Sequence, residues 1–171
     1  MSFVLYSHRG NIWGPNIERE NTLDYIDEAI NAKFGVEIDV WLQGDNNIYL
    51  GHDEPTTLVT YEYLMLRHDQ LLLHAKNISA FTYFSSRTRF NTFFHTEEAI
   101  VYSTSGNIIV HPEHYPVDLV TSDNYIYSMP ELSKVKVPRF RSIISDYVGY
   151  VRKQYEGQQV DKNLPKIMLY E

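Results

Sequence analysis

Two acidic residues stand two positions apart in the run Val36-Glu37-Ile38-Asp39-Val40. Side chains alternate across a β-strand, so residues two apart share a face with Cα atoms roughly 6–7 Å apart. Glu37 and Asp39 therefore point one way, while Val36, Ile38 and Val40 point the other. Two carboxylates on one face are costly unless they are solvated or neutralised. They are either a solvated strand edge or the oxygen ligands of a divalent cation. The same alternation in Leu71-Leu72-Leu73-His74-Ala75-Lys76 sets His74 and Lys76 on one face. His8 and Arg9 leave the end of a first apolar run, and His52 and Asp53 leave the end of another. His95, after Phe93-Phe94, either faces the same mouth or merely finishes a strand.

These side chains sit at the ends of separate strand candidates. The run 2–7 reads as a first strand. The clearest helix follows, capped by Asn21 or Thr22, with Leu23, Ile26, Ile30 and Phe34 on one face and Gly35 as its stop. Further strands are expected over 36–40, 47–53, 71–76, 92–95, 99–102, 107–110, 124–127 and 141–145. Helices are expected over 61–67 and 78–84, and a last one runs from a Ser145 cap to about Glu156 with Gly157 as its stop. Turns are marked by Ser105-Gly106, His111-Pro112 and Tyr115-Pro116, and His68, His111 and His114 are assigned to solvated turns. An eightfold α/β barrel usually takes roughly 250 residues. At 171 residues the expectation is a compact, distorted (β/α)8 TIM-type barrel with some connecting helices reduced or missing, and an open α/β sheet is the alternative. In a barrel the strand ends meet at one rim, where such folds keep their sites.

Composition narrows the classes. Apolar residues make up 43% and charged residues 22%, the balance of a folded globule. Fifteen basic against twenty-two acidic residues give a net charge of −7, which argues against a non-specific nucleic-acid binder. Eight of the fifteen basic residues lie from Lys134 onward, a bias that fits either an anionic partner or an oligomer interface. The absence of cysteine excludes disulfides, thiolate zinc sites and cysteine nucleophiles. No apolar run is long enough for a transmembrane segment, and the amino terminus carries no secretory signal pattern. The expectation is an acidic cytoplasmic protein, with one domain over residues 1–157 and a C-terminal tail over 158–171.

Order and spacing say more than any one residue. HRG at 8–10, ENT at 20–22, EIDV at 37–40 and GHD at 51–53 resemble the glycerophosphodiester phosphodiesterase family, which shares a superfamily with the barrel phospholipases C specific for phosphatidylinositol. The resemblance is dense over residues 3–53. It is patchier at Lys76, Phe94-His95 and Ser145-Asp146, where it is closest to compact bacterial members.

The resemblance implies a metal-assisted phosphodiesterase acting on a small phosphodiester. It makes His8 and His52 the acid-base pair, Glu37 and Asp39 ligands of one divalent cation (magnesium, calcium or manganese), and Arg9 and Lys76 the phosphate-binding cations. Glu20 of ENT would hold the site or touch the metal, with Asp53 and His95 in support. An imidazole titrates near neutral pH and can give or take the protons that attack and departure require. Attack by water makes a hydrolase, and attack by a substrate hydroxyl makes a lyase that releases a cyclic phosphate. One position departs from the family pattern. Its usual third metal ligand, a glutamate two residues before the lysine, is here His74. Either His74 ligates the metal, or the metal has fewer protein ligands, or the protein binds phosphate ligands or a partner without metal and without catalysis. In the first case imidazole favours manganese, iron, cobalt or zinc over magnesium or calcium.

Overall fold

The protein is described by a computed structural model over residues 4–44, 46–112, 124–133 and 142–157. The chain runs β1 (Val4–His8), α1 (Leu23–Asn31), β2 (Gly35–Gln43), β3 (Asn47–Leu50), β4 (Thr57–Val59), α2 (Tyr61–Leu66), β5 (Leu71–Ala75) and α3 (Ile78–Ser85). It continues with β6 (Asn91–Phe93), β7 (Ile100–Tyr102), β8 (Ile108–Val110), β9 (Tyr125–Ser128), β10 (Ser142–Ser145) and α4 (Val148–Tyr155). His114, the Tyr115-Pro116 turn and the tail 158–171 lie outside the described residues, as does the basic stretch apart from Arg152 and Lys153.

All ten strands join one mixed sheet, whose main run is β6-β5-β2-β1-β10-β9-β8-β7. Pairing along it is parallel except between β7 and β8. β3 and β4 add an antiparallel ribbon to the far end of β2. The sheet curls into a half-barrel, which overturns the expected (β/α)8 TIM-type barrel: strand and helix do not alternate, and the described residues hold only four short helices. The reason is chain length. A parallel crossover takes about a dozen residues or more, and between β6 and β8 the chain instead turns back on itself as a β7–β8 hairpin. The turn of that hairpin, rather than a ladder, reaches the β6 edge: Thr104 N–H donates to Thr92 O at 2.8 Å, and Asn91 Nδ2 donates to Asn107 Oδ1 at 2.9 Å.

Alternation splits each strand between two apolar layers. Val36, Ile38 and Val40 of β2 and Leu71 and Leu73 of β5 bury their side chains under α1 and α3, against Ile26, Ala29, Ala80 and Phe84. Leu5 and Ile143 lie under α4, with Val148 and Val151. The inner face carries a separate floor of Leu72, Phe93, Val101, Ile109, Ile126 and Ile144, packed with Tyr6. Each fully buried side chain of this kind stabilises the fold by about 1.5–3 kcal/mol. That gain is what tolerates polar groups higher on the same inner face.

Several boundaries differ from the sequence expectation. α1 ends at Asn31, and Lys33 makes the turn at φ +65°, so Gly35 is not the helix stop but the first residue of β2. Its missing side chain makes room for the Tyr6 ring. A Cβ built at Gly35 would lie 2.6 Å from Tyr6 Cδ1. Ser145 does not cap α4; its Oγ accepts from Tyr147 N–H at 2.9 Å and donates to Glu131 Oε2 at 2.9 Å. Arg152 latches α4 to the end of α1, donating to Ala32 O and Lys33 O, each at 2.8 Å, with its guanidinium 3.6 Å above the Phe34 ring. Among the described residues no helix is long and apolar enough to cross a membrane.

The Gly35–Tyr6 fit is open to a double-mutant cycle. Gly35→Ala is expected to destabilise the protein by about 1–3 kcal/mol, as overpacking does. In a Tyr6→Ala background the same change is expected to cost much less, because the clashing ring is gone. Urea denaturation of the four proteins measures both, and equal costs in the two backgrounds would show that the ring is not the obstacle.

Candidate functional site

Parallel register levels the polar residues. His8 of β1 stands beside Glu37 of β2, Asp39 beside His74 of β5, and His74 beside Phe93 of β6. The expected alternation holds, and Glu37 and Asp39 face inward, away from Val36, Ile38 and Val40. His8, Arg9, Glu37, His52, His74, Lys76 and His95 line one cavity of about 440 Å³. Arg9 and His52 also face an adjoining cavity of about 430 Å³, whose walls include Glu20 and Asp53. Asp39 is fully buried beneath them.

Hydrogen bonding along β2 explains this crowding. Arg9 N–H donates to Glu37 O at 2.8 Å, and Gly51 N–H donates to Asp39 O at 3.2 Å. β1 and then β3 therefore use the same edge of β2, and between them the Asp39 N–H has no strand to pair with. The side chain of Asn21 stands in. Its Oδ1 accepts from Asp39 N–H and its Nδ2 donates to Asp39 Oδ2, each at 3.0 Å. Of the two cap candidates, Thr22 takes the N-cap position of α1, whereas Asn21 is buried at φ +58°, a conformation asparagine tolerates better than most residues. Gly51, at φ +145°, makes the turn that carries His52, and a Cβ there would lie 2.1 Å from Glu54 O.

Charges answer one another across the cavity wall. Asp39 meets Arg9 Nε at 2.9 Å through Oδ2, and His74 Nδ1 at 3.0 Å and Lys76 Nζ at 3.5 Å through Oδ1. Burial pushes the Asp39 carboxyl up, but His74, Arg9 and Lys76 outweigh it and hold the group below the usual carboxylate range. His74 shows the converse: burial lowers its pKa, yet Asp39 and Glu37 raise it above the ordinary imidazole value. His8 is likewise raised, since burial is outweighed by its hydrogen bond to Asp146 and the charge of Glu37. His95 goes the other way. Burial, followed by the charges of His74, His111 and Lys76, pushes it down to about 4.

Glu37 is a different case. It is 2% exposed, and its buried Oε2 has no hydrogen-bond donor; His8 Nε2 stands 3.9 Å away. Ligand atoms of Glu37, Asp39 and His74 all lie within 4.8 Å of one another. Two carboxylates, one of them with an orphaned buried oxygen, and one imidazole are a donor set that fits a divalent cation.

Sequence reasoning missed residues that orient the site. Asp146 Oδ1 accepts from His8 Nδ1 and Asn11 Nδ2, each at 2.8 Å, and Asp146 N–H donates to Glu131 Oε1 at 2.9 Å. The Ser145-Asp146 pair was legible as a strand end, but its partner 138 residues away was not. His111, assigned to a solvated turn, lines the cavity with its ring 4.7 Å from that of His95. Trp41, which shares the Asp39 face, commits its indole N–H to Gly51 O at 2.6 Å. Neither a scan of protein-family models nor a search of curated proteins finds a match for this chain.

Asn21→Ala orphans the buried Asp39 N–H and removes one donor from its carboxylate. The expected loss is about 1–3 kcal/mol for each group left unpaired. Chemical denaturation measures it. A loss below about 0.5 kcal/mol, the usual limit for surface changes, would mean that Asn21 does not replace the missing strand.

Proposed function

We propose that this cleft hydrolyses a small, glycerophosphodiester-like phosphodiester with metal assistance. The observation that carries the reading is the convergence of His8, Arg9, His52 and Lys76 on one cavity, with Glu37 and His74 in its wall. The resemblance of HRG, ENT, EIDV and GHD to the glycerophosphodiester phosphodiesterase family supports the same reading, because the roles it implies fall on residues that share this cleft.

A phosphodiester is anionic, so positive charge must meet it first. Arg9 is held by Asp39 and by Glu20, whose Oε2 lies 3.0 Å from Nη1, and Lys76 is held by Asp39. Both cations are therefore in place before substrate arrives, and no reorganisation is needed as charge builds on the phosphoryl oxygens. His8 commits Nδ1 to Asp146, which leaves Nε2 as the atom that holds or moves a proton in the cavity. His52 is arranged alike, with Nδ1 2.7 Å from Asp53 Oδ1 on the loop after β3. One imidazole takes a proton from the attacking water, and the other protonates the departing alkoxide. A divalent cation held by Glu37, Asp39 and His74 would supply Lewis-acid stabilisation of the phosphoryl oxygens.

Purified protein given manganese or magnesium is expected to cleave bis(p-nitrophenyl) phosphate or a glycerophosphodiester, and to lose turnover on chelation. His8→Ala and His52→Ala are each expected to lower kcat by about 10²–10⁴-fold with Tm little changed. Phosphorus NMR of the product is expected to show a monoester rather than a cyclic phosphate. Full activity in both histidine variants would remove the assignment of the acid-base pair.

A further inference from the structure

We infer that His74 is a nitrogen ligand, and that it makes the Glu37–Asp39–His74 cluster a site for a first-row transition ion in preference to magnesium or calcium. The inference rests on the metal-assisted reading of the site and names the class of ion that it takes.

The first support is placement. Strand register sets His74 directly beside Asp39, and its Nδ1 lies 3.0 Å from Asp39 Oδ1 and 3.6 Å from Glu37 Oε1. Neighbouring ligands of an octahedral ion with bonds near 2.1 Å stand about 3 Å apart, so these atoms need little movement to share one.

The second support is confinement of the ring. His74 stacks against Phe93, centroids 4.6 Å apart at 10°, and against His95, centroids 4.7 Å apart at 11°; those two rings stand side by side against it, their own centroids 6.1 Å apart. Two parallel rings laid along one side of it restrict the tilt of the imidazole and keep Nδ1 toward the carboxylates.

The third support is charge. Arg9 and Lys76 both stand against Asp39, so that carboxylate is already matched by permanent cations, with Arg9 shared by Glu20. Magnesium and calcium are held chiefly by oxygen charge and gain less from a carboxylate so matched. Affinity for imidazole rises across the first-row ions and does not depend on surplus negative charge. The nitrogen donor is therefore the feature that decides which ion binds.

The test uses the full chain and the metals alone. Calorimetric titration is expected to show cobalt binding at least about tenfold more tightly than magnesium or calcium, with manganese between them. His74→Glu, an all-oxygen set, is expected to narrow or reverse that ratio, while Glu37→Gln weakens every ion. Pulsed electron paramagnetic resonance of bound manganese is expected to show a directly coordinated nitrogen, retained in His8→Ala, His52→Ala and His95→Ala. This measurement decides the matter even if His74→Glu does not fold. Tight binding with an unchanged order of ions in His74→Glu, or no coordinated nitrogen, would overturn the ligand assignment and leave the metal-assisted reading standing. Turnover that survives chelation, with no ion bound to the wild-type protein, would overturn both and leave His74–Asp39 as an ion pair.

Discussion

A buried carboxylate without compensation costs several kcal/mol, and β2 carries two of them on its inner face. The rest of the site is arranged around that constraint. Arg9, His74 and Lys76 converge on Asp39 from two neighbouring strands, and Asn21 reaches in from the loop before α1. The opposite face of the same strand supplies the compensation, because Val36, Ile38 and Val40 are fully buried under helices. Neither face is independent of the other. The apolar side holds β2 in the middle of the sheet, and only there can the acidic side be met by charged neighbours on both flanks.

The half-barrel divides its labour unevenly. β1, β2 and β5 carry the polar side chains, and these strands are backed by α1, α3 and α4. β7, β8 and β9 give the interior mostly apolar groups: Val101, Ile109 and Ile126. A site needs its side chains held by packed elements, because small errors in position cost affinity and rate. Helices are thus kept where the polar residues stand and reduced where the sheet only closes the floor. Parallel pairing adds a second consequence, since it brings the carboxyl ends of β1, β2 and β5 to one rim, with His8 level with Glu37 and Asp39 level with His74.

The imidazoles form a graded series within this frame. His8 and His74, each against carboxylates, are raised, whereas His95, against other cationic groups, is depressed. The difference follows from partners, since burial lowers all three. Asp146 and Glu131 extend the arrangement outward, because Asp146 fixes the His8 ring and Glu131 fixes the backbone of Asp146.

Much of this was written in the local sequence. Alternation in VEIDV and LLLHAK determined which residues share a face, and apolar spacing placed α1, because both periodicities arise from the backbone over a few residues. The spaced motifs likewise marked His8, Arg9, Glu37, Asp39 and His52 as chemical groups at strand ends. What tertiary structure alone decided was the partner of each group. Gly35 reads as a helix stop until the Tyr6 ring occupies the space beside it, and Asn21 reads as a candidate cap until β1 leaves the edge of β2 unpaired. Asp146 meets His8 across 138 residues, and His111 enters the cavity through its contact with His95. Whether the sheet closed as a regular barrel was also beyond local reading, since it depends on which connections had enough chain to form a crossover helix. Periodicity is a property of neighbouring residues. Pairing across the fold is fixed only when distant strands are packed side by side, and it leaves no trace in the spacing of either partner.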